Sequence, residues 1–145
     1  MKILVCGGRD YRDKGKVFTL LSAIHRGRNG PIIAVIHGGA DGADAFAQQW
    51  ARWKAVPEKT YRAEWEKYGR CVGLLRNAEM LRKELPDLVL AFPGGRGTAD
   101  MTMPAAAGVQ SWRSLSGVQI QVRPGAPAAW SRGIAGKGHQ GRLRC

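Results

Sequence analysis

Three short apolar runs, each followed by a pair of glycines, constrain the fold of this chain more than any other feature. The runs cover residues 3–6, 32–36 and 87–92, and the pairs are Gly7-Gly8, Gly38-Gly39 and Gly94-Gly95. Runs that are uniformly apolar, with no polar alternation, are typical of parallel strands covered on both faces. We therefore predict three buried strands of one parallel sheet, each ending in a glycine-rich turn.

Segments with helical spacing lie between these runs. We predict helices over residues 17–24, 43–54 and 70–85, a last helix from near Thr98, and poorer strands over 59–62 and 118–122. Trp50 and Trp53 are assigned to the core face of the second helix. The core stripe of the third is predicted to be Leu74, Ala78, Leu81 and Leu85. On a straight helix Arg76 falls about 160° from this stripe, so geometry alone predicts a solvent arginine.

Strands that alternate with helices predict an α/β fold, a Rossmann-like doubly wound parallel sheet with helices on both faces. A length of 145 residues with 44% hydrophobic residues fits one domain. We assign that domain to residues 1–122. Residues 123–145 form a tail rich in glycine, proline and arginine, which we predict to be mobile and to contribute little to folding.

The charge suggests a polyanionic partner only when it is taken as a single number. The formal net charge is +12, but all 11 acidic residues lie within residues 1–100, while 101–145 carry basic residues alone. Half of the excess therefore sits toward the end of the chain. Such charge supports nonspecific affinity for nucleic acid and selects no sequence.

Cysteines and histidines give no metal or disulfide pattern. Cys6, Cys71 and Cys145 have no C-x-x-C spacing, and His25 and His139 are isolated. The first residues are too few for a signal peptide and no apolar run is long enough for a membrane helix. We expect reduced thiols, no metal site, no cofactor and a cytoplasmic protein.

The three glycine pairs are predicted to meet, because the carboxyl ends of parallel strands lie on one edge of a sheet. Ligands of open α/β sheets bind at that edge, where residues without Cβ atoms let backbone amides approach phosphate. Three such loops favour a nucleotide cradle with a common pocket. The alternative is that the glycines only permit tight turns. The sequence contains neither a Walker loop nor G-x-G-x-x-G, which disfavours a standard P-loop NTPase or NAD dehydrogenase.

Several motifs resemble, in order, those of the YspA-like (cpYpsA-related) branch of the SLOG superfamily. They are the segments 2–11, 37–44, Glu64-Trp65, 67–70, 76–81 and 91–101, and the resemblance ends at about residue 108. That superfamily is similar in fold to Rossmann proteins and includes the LOG phosphoribohydrolases and DprA. The resemblance implies recognition of a nucleotide-like or NAD-derived ligand, and family analogues imply a homo-oligomer, in the simplest case a dimer.

The phosphoribohydrolases also imply a catalytic pair. Their arginine corresponds to Arg76, and their carboxylate, two residues beyond the threonine of a Pro-Gly-Gly-x-Gly-Thr loop, corresponds to Asp100. A carboxylate near the ribose would stabilise the oxocarbenium character that develops when an N-glycosidic bond breaks. Asp100 replaces a glutamate and is shorter, and Asn77 stands where those enzymes commonly carry a lysine.

Ligand-binding residues are predicted from the glycine loops and the motifs together. They are Gly7, Gly8, Arg9, Asp10, His37, Gly38, Gly39, Asp44, Asn77, Gly94, Gly95, Arg96, Gly97 and Thr98.

For some of these residues and their neighbours, a role without any ligand remains an alternative. Arg9 either clamps a phosphate or is a solvated loop residue. Asp10 takes ribose hydroxyls or caps a turn, and capping is favoured for Asp41. His37 is a ligand contact or a structural hydrogen-bonding group. Two further aromatic residues, Trp65 and Tyr68, either form a lid over a base or pack on the surface.

Three functions from different classes follow. The first is a binding module or sensor for a nucleotide-like or NAD-derived ligand. The second is a nucleoside-monophosphate phosphoribohydrolase acting through Arg76 and Asp100. The third is a nonspecific nucleic-acid binder that uses the basic tail. The intact glycine loops support the first two, and we rank the ligand-binding module first.

Overall fold

A computed structural model describes residues 1–64, 72–102 and 113–123. Six strands and four helices follow one another along these residues; they alternate until the last two strands, which are consecutive. The strands are β1 (Lys2–Cys6), β2 (Ala34–His37), β3 (Glu58–Thr60), β4 (Leu88–Ala91), β5 (Arg113–Leu115) and β6 (Val118–Val122). The helices are α1 (Lys14–Arg26), α2 (Ala43–Trp53), α3 (Val72–Glu84) and α4 (Arg96–Thr102).

All six strands form one sheet in the order β3-β2-β1-β4-β6-β5. The first four strands are mutually parallel, with Ile3 of β1 opposite Val35 of β2 and Leu88 of β4. Strand β6 pairs antiparallel with β4, and β5 pairs antiparallel with β6. The predicted α/β fold is therefore confirmed, including the closing strand, but the expectation of an all-parallel sheet is wrong at this edge.

Helices cover both faces of the sheet, because alternate strand residues point to opposite sides. Val5, Val35 and Leu90 belong to the core on the side of α1 and α2, which includes the fully buried Trp50. Trp50 donates its indole N–H to the Ser22 hydroxyl at 2.9 Å. The intervening strand residues pack on the other face, against α3 and α4; they are Leu4, Cys6, Ile36, Val89 and Ala91.

The predicted core stripe of α3 is wrong except at Leu81, which is half-buried and packs against the core on the α3 side of the sheet. Leu74 and Leu85 are 49% and 58% exposed, and Ala78 is also exposed. The buried residues of this helix are instead Val72, Asn77, Met80 and Glu84. The helix is thus rotated so that part of its polar face points inward, which a rule that places leucines in the core does not anticipate.

A second correction concerns Trp53, which was assigned to the core and is 62% exposed. Its ring stacks on Phe18 with centroids 5.8 Å apart, and the Lys54 ammonium lies 3.7 Å from its centroid. Trp53 therefore covers the outer side of the α1–α2 contact instead of filling the core.

Arg123, which the sequence places in the tail, is fixed to the sheet. Its backbone N–H donates to the Asp87 carbonyl at 3.0 Å and its guanidinium pairs with the Asp87 carboxylate at 2.9 Å. The rest of the predicted tail, residues 124–145, lies outside the described residues. Within the described ranges, no helix has the length and apolarity needed to cross a membrane.

Candidate functional site

Three loops meet at the carboxyl edge of the parallel strands, where the chain order of the sheet reverses. Strands β2 and β3 lie to one side of β1, and β4 lies to the other. The loops that follow β1, β2 and β4 carry the three glycine pairs. Small ligands of open α/β sheets bind in the crevice at such a reversal point. The predicted convergence of the three glycine loops at this edge is therefore present.

Part of the glycine content serves contact between these loops. A Cβ on Gly8 would lie 2.9 Å from the Cα of Gly94 and 3.0 Å from the Pro93 carbonyl oxygen. Gly42 has a φ of +74°, and a Cβ there would overlap the Gly8 carbonyl oxygen. Since backbone occupies those positions, Gly8, Gly42 and Gly94 are required by the protein's own packing.

In the described part of the chain the six glycines line two adjoining cavities, where the sequence predicts one common pocket. The first has a volume of about 260 Å³ and the second about 580 Å³, and they share Gly7, Arg9, Gly97 and Thr98. The other residues that line the first are Cys6, Gly38, Gly39, Ala40, Asp44, Arg62, Ala63, Arg76, Asn77 and Met80. The other residues that line the second are Gly8, Asp10, Tyr11, Pro93, Gly94 and Gly95.

Arg76 enters the first cavity from α3, so its prediction as a solvent arginine by helix geometry is wrong. Its Nη1 donates to the Gly38 carbonyl at 2.9 Å, and its Nε donates to the Asn77 side-chain oxygen at 3.1 Å. A Cβ on Gly38 would overlap this guanidinium. The absence of that Cβ lets Arg76 lie flat against the loop after β2.

The inward face of α3 is held in place by a buried acid. Glu84 is 5% exposed and accepts hydrogen bonds from Lys59 Nζ at 2.9 Å and Tyr61 Oη at 2.5 Å. The Tyr61 hydroxyl and the Lys59 ammonium lower the pKa of Glu84, while the bond to Glu84 raises the pKa of Tyr61 to about 12. These charge-assisted bonds tie α3 to β3 and so orient Arg76 and Asn77.

Asp44, in the first turn of α2, is the buried acid of the first cavity. Its Oδ2 accepts backbone N–H bonds from Gly38 at 2.9 Å and Ala40 at 3.4 Å. Burial raises the pKa of Asp44 to about 6, against the opposing effects of those amides and of Arg76 and Arg9. Near neutral pH the carboxylate is therefore largely ionised, but it protonates in mildly acidic solution.

His37 has a structural role and does not line either cavity. The ring is 1% exposed, and its Nδ1 accepts the Gly39 backbone N–H at 3.1 Å. In the neutral ring the proton is then on Nε2, which donates to the Thr60 hydroxyl at 3.3 Å. Burial lowers the pKa of His37 against the opposing effect of Glu58, which favours the neutral ring, and the bond from Gly39 fixes the turn after β2.

Other predicted site residues separate into two groups. Asn77 lines the first cavity and donates to the Gly97 carbonyl at 3.1 Å, and Asp10 lines the second. Arg96 and Asp100 belong to α4 but do not line either of these cavities. The proposed catalytic pair, Arg76 and Asp100, is therefore not brought together in the first cavity.

The interpretation of Asp41 as a helix cap is wrong, because the N-cap residue of α2 is Gly42 and no side-chain hydrogen bond caps this helix. The suggested lid residues Trp65 and Tyr68 lie outside the described residues, as do Cys71 and Cys145. Cys6 is buried at the first cavity, and burial raises the pKa of its thiol far above its usual range. The thiol is thus neutral and contributes no charge there.

Sequence reasoning missed Arg62. It lies two residues after the end of β3. Among the described residues that line the first cavity, Arg62 is the third cationic side chain beside Arg9 and Arg76, and Asp44 is the one carboxylate. The signal that could have found it is its position at the carboxyl end of a fourth parallel strand. Among the described residues, no three His, Cys, Asp or Glu side chains group closely enough to hold a metal ion.

Comparison with known proteins gives a family and a relative. The family model described as YspA, cpYpsA-related SLOG family matches residues 1–68. The Gene 61 protein of Mycobacterium phage D29 is 40% identical over 102 residues, which cover 66% of this chain and 78% of that protein. No solved structure matches the chain significantly. The first two glycine loops and Asp44 fall within residues 1–68, and the chain belongs to the YspA, cpYpsA-related SLOG family.

Proposed function

We propose that this protein binds a small phosphorylated, nucleotide-like ligand, with the phosphate in the first cavity. The observation that carries the proposal is the charge of that cavity. Among the described residues that line it, Arg9, Arg62 and Arg76 are cationic and Asp44 is the one carboxylate, and the cavity lies at the edge where the strand order reverses. An excess of positive charge in a partly closed cleft attracts anions and holds them more strongly than it would in bulk water.

Arginine suits this role because its planar fork offers several donors to one phosphate. Within the described part of the chain, the hydrogen bonds of Arg76 use Nε and Nη1. These bonds fix the plane of the guanidinium and leave Nη2 for a ligand. An arginine that the protein already orients loses less side-chain freedom on binding, which favours affinity.

The second cavity provides room for the remainder of the ligand. It shares Arg9 and Thr98 with the first cavity, and Tyr11 lines it with its ring 5.3 Å from that of Phe92. A partly buried aromatic side chain offers a surface for a planar base. A nucleotide could therefore span both cavities, with its phosphate beside the arginines and its base toward Tyr11.

Hydrolysis of an N-glycosidic bond is a weaker proposal for this chain. It assigns the ribose-facing carboxylate to Asp100, which does not line the two cavities. Nonspecific nucleic-acid binding rests on the tail, whose residues 124–145 lie outside the described part. No observation on the described residues favours either function over ligand binding.

The test is equilibrium binding by calorimetry with AMP, GMP, NAD and ADP-ribose, using adenosine as the unphosphorylated control. We expect at least one phosphorylated compound to bind about tenfold or more tightly than adenosine. Arg76→Leu should weaken that binding by about 10- to 100-fold, since a hydrogen bond to a charged group contributes about 1.5 to 3 kcal/mol.

The matched control is Arg82→Leu, which removes the same charge from an exposed position on α3. It should leave binding within about twofold of wild type, because exposed charges a helical turn away are screened. The proposal is refuted if no compound binds at millimolar concentration, or if both variants lose affinity equally. Chromatography of the same mixtures for free base tests hydrolysis separately.

A further inference from the structure

The first cavity holds a feature that phosphate binding does not explain, the carboxylate of Asp44. The residue is 4% exposed and lines the same cavity as Arg9, Arg62 and Arg76. A carboxylate repels a phosphate bound nearby, and its burial is itself costly. An anion site alone would bind more tightly with a neutral residue at this position.

The backbone hydrogen bonds that Asp44 accepts use one of its two carboxylate oxygens. Both backbone bonds, from Gly38 and Ala40, reach Oδ2. Among the described residues no hydrogen bond reaches Oδ1. This oxygen is also not one of the fully buried polar atoms that lack a partner, so it stays accessible. Asp44 lines the cavity, and Oδ1 is the oxygen that its backbone bonds leave able to accept a hydrogen bond from a ligand.

The size of the cavity limits what this ligand can be. A volume of about 260 Å³ lies below the range of about 300–1,000 Å³ that is usual for a whole ligand site. The anionic group and the donor for Asp44 must therefore belong to one compact part of the ligand. A phosphorylated pentose meets both requirements, because its hydroxyls lie a few bonds from its phosphate.

We propose that Asp44 accepts hydrogen bonds from the ribose hydroxyls of the ligand, so that the protein selects ribonucleotides over deoxyribonucleotides. This inference rests on the proposed function, which supplies the phosphate. The arginines give affinity for any phosphorylated sugar, and Asp44 gives the discrimination. A site that hydrogen-bonds a hydroxyl rejects an analogue without it, because its own buried acceptor is then left unpaired.

The test measures AMP, 2′-deoxy-AMP and 3′-deoxy-AMP against wild type and Asp44→Asn. Wild type should bind AMP about 10- to 100-fold more tightly than at least one deoxy analogue. In Asp44→Asn the oxygen can keep the two amides while the amino group faces the cavity. The preference should fall to within about threefold, and the deoxy analogue should bind no worse than it does to wild type, because the repulsion is removed.

Asp41→Asn is the matched control, since it makes the same change at an exposed position three residues earlier. It should keep the full preference for AMP. The inference is overturned if wild type binds AMP and both deoxy analogues equally, or if Asp44→Asn keeps the preference. IMP is a further ligand for wild type, because it lacks the amino group of adenine. If wild type binds IMP more weakly than AMP but binds both deoxy analogues as tightly as AMP, Asp44 contacts the base, and the inference is overturned too. If no nucleotide binds wild type at all, it is the proposed function that fails.

A measurement on wild type alone covers the case in which Asp44→Asn does not fold. The ratio of AMP affinity to deoxy-AMP affinity should fall toward one as the pH decreases from 8 to 5, because Asp44 protonates near pH 6. Protonation of the phosphate affects both ligands alike and cancels in the ratio. The other ionisable groups near Asp44 are Arg9, Arg62, Arg76, Cys6 and His37; none of them accepts the ribose hydroxyls in this proposal, so their effect on the two affinities also cancels in the ratio. A ratio that stays constant over this interval refutes the inference.

Discussion

Substitution of Gly97 separates the needs of the fold from those of the ligand. Gly97 is the second residue of α4 and lines both cavities. A Cβ at this position would meet no atom within 4 Å, and its φ lies outside the left-handed region. The packing of the protein therefore gives no reason for glycine here, in contrast to Gly42.

The magnitude follows from helix propensity and chain entropy. Alanine is favoured over glycine inside a helix by up to about 1 kcal/mol, so Gly97→Ala should stabilise the protein by about 0.5–1 kcal/mol. For a chain of this size that gain corresponds to a rise in Tm of about 1–4 °C. Because Gly97 lines both cavities and a Cβ there meets no protein atom, we expect the added methyl group to occupy space that the ligand needs, and ligand affinity should fall at least about tenfold.

The assay combines thermal unfolding and calorimetric titration with the tightest ligand of the nucleotide panel. Gly15→Ala in α1 is the control, because its Cβ would meet only the Asp13 carboxylate oxygen at 3.6 Å and it lies away from both cavities. It should change Tm in the same direction and leave affinity unchanged. If Gly97→Ala binds the ligand as tightly as wild type, the glycine does not serve ligand approach and the reasoning is refuted.

Three further predictions concern stability. Gly42→Ala should destabilise the protein by about 2 kcal/mol or more, measured by urea unfolding, because its φ is +74° and its methyl group would overlap the Gly8 carbonyl; a loss below about 0.5 kcal/mol would contradict the loop contact. The pKa of Asp44 is raised to about 6 in the folded state, so the unfolding free energy of wild type falls as the pH rises from about 4 to about 6. The unfolding free energy of Asp44→Asn minus that of wild type should therefore increase by about 1–2 kcal/mol between pH 5 and pH 8. A difference that does not change with pH would contradict this. Trp50→Ala should cost about 3–5 kcal/mol and Trp53→Ala less than about 1 kcal/mol, and equal losses in unfolding experiments would contradict their assignments to core and surface.

The parallel part of the fold was predictable because its signals are local. Uniformly apolar strands such as residues 3–6, closed by glycines, define both the strands and the edge where their loops meet. The antiparallel edge also has a local signal in the sequence, the alternation of residue types over 118–122. In β6, Val118 and Ile120 alternate with glutamines, and alternation is typical of an antiparallel strand, although Gln121 is itself buried in this sheet.

The orientation of α3 could not be predicted from hydrophobic periodicity. That method turns Leu74 and Leu85 inward, whereas the helix turns Arg76 and Asn77 toward the cavity and buries Glu84 beneath Lys59. A helix that lines a site has a polar inner face, so its energetics depend on partners from distant parts of the chain. The resemblance to the family, and not the helix geometry, was the signal that pointed to Arg76.

The central claim, that the converging loops form a phosphate-binding ligand site, is tested most directly by NMR titration of the full chain labelled with ¹⁵N. We predict that adding the tightest-binding nucleotide shifts the backbone amide signals of Gly7–Asp10, Gly38–Ala40 and Gly97–Thr98, and that adenosine produces much smaller shifts at equal concentration. Shifts confined to other parts of the chain, or none at millimolar nucleotide, would contradict it.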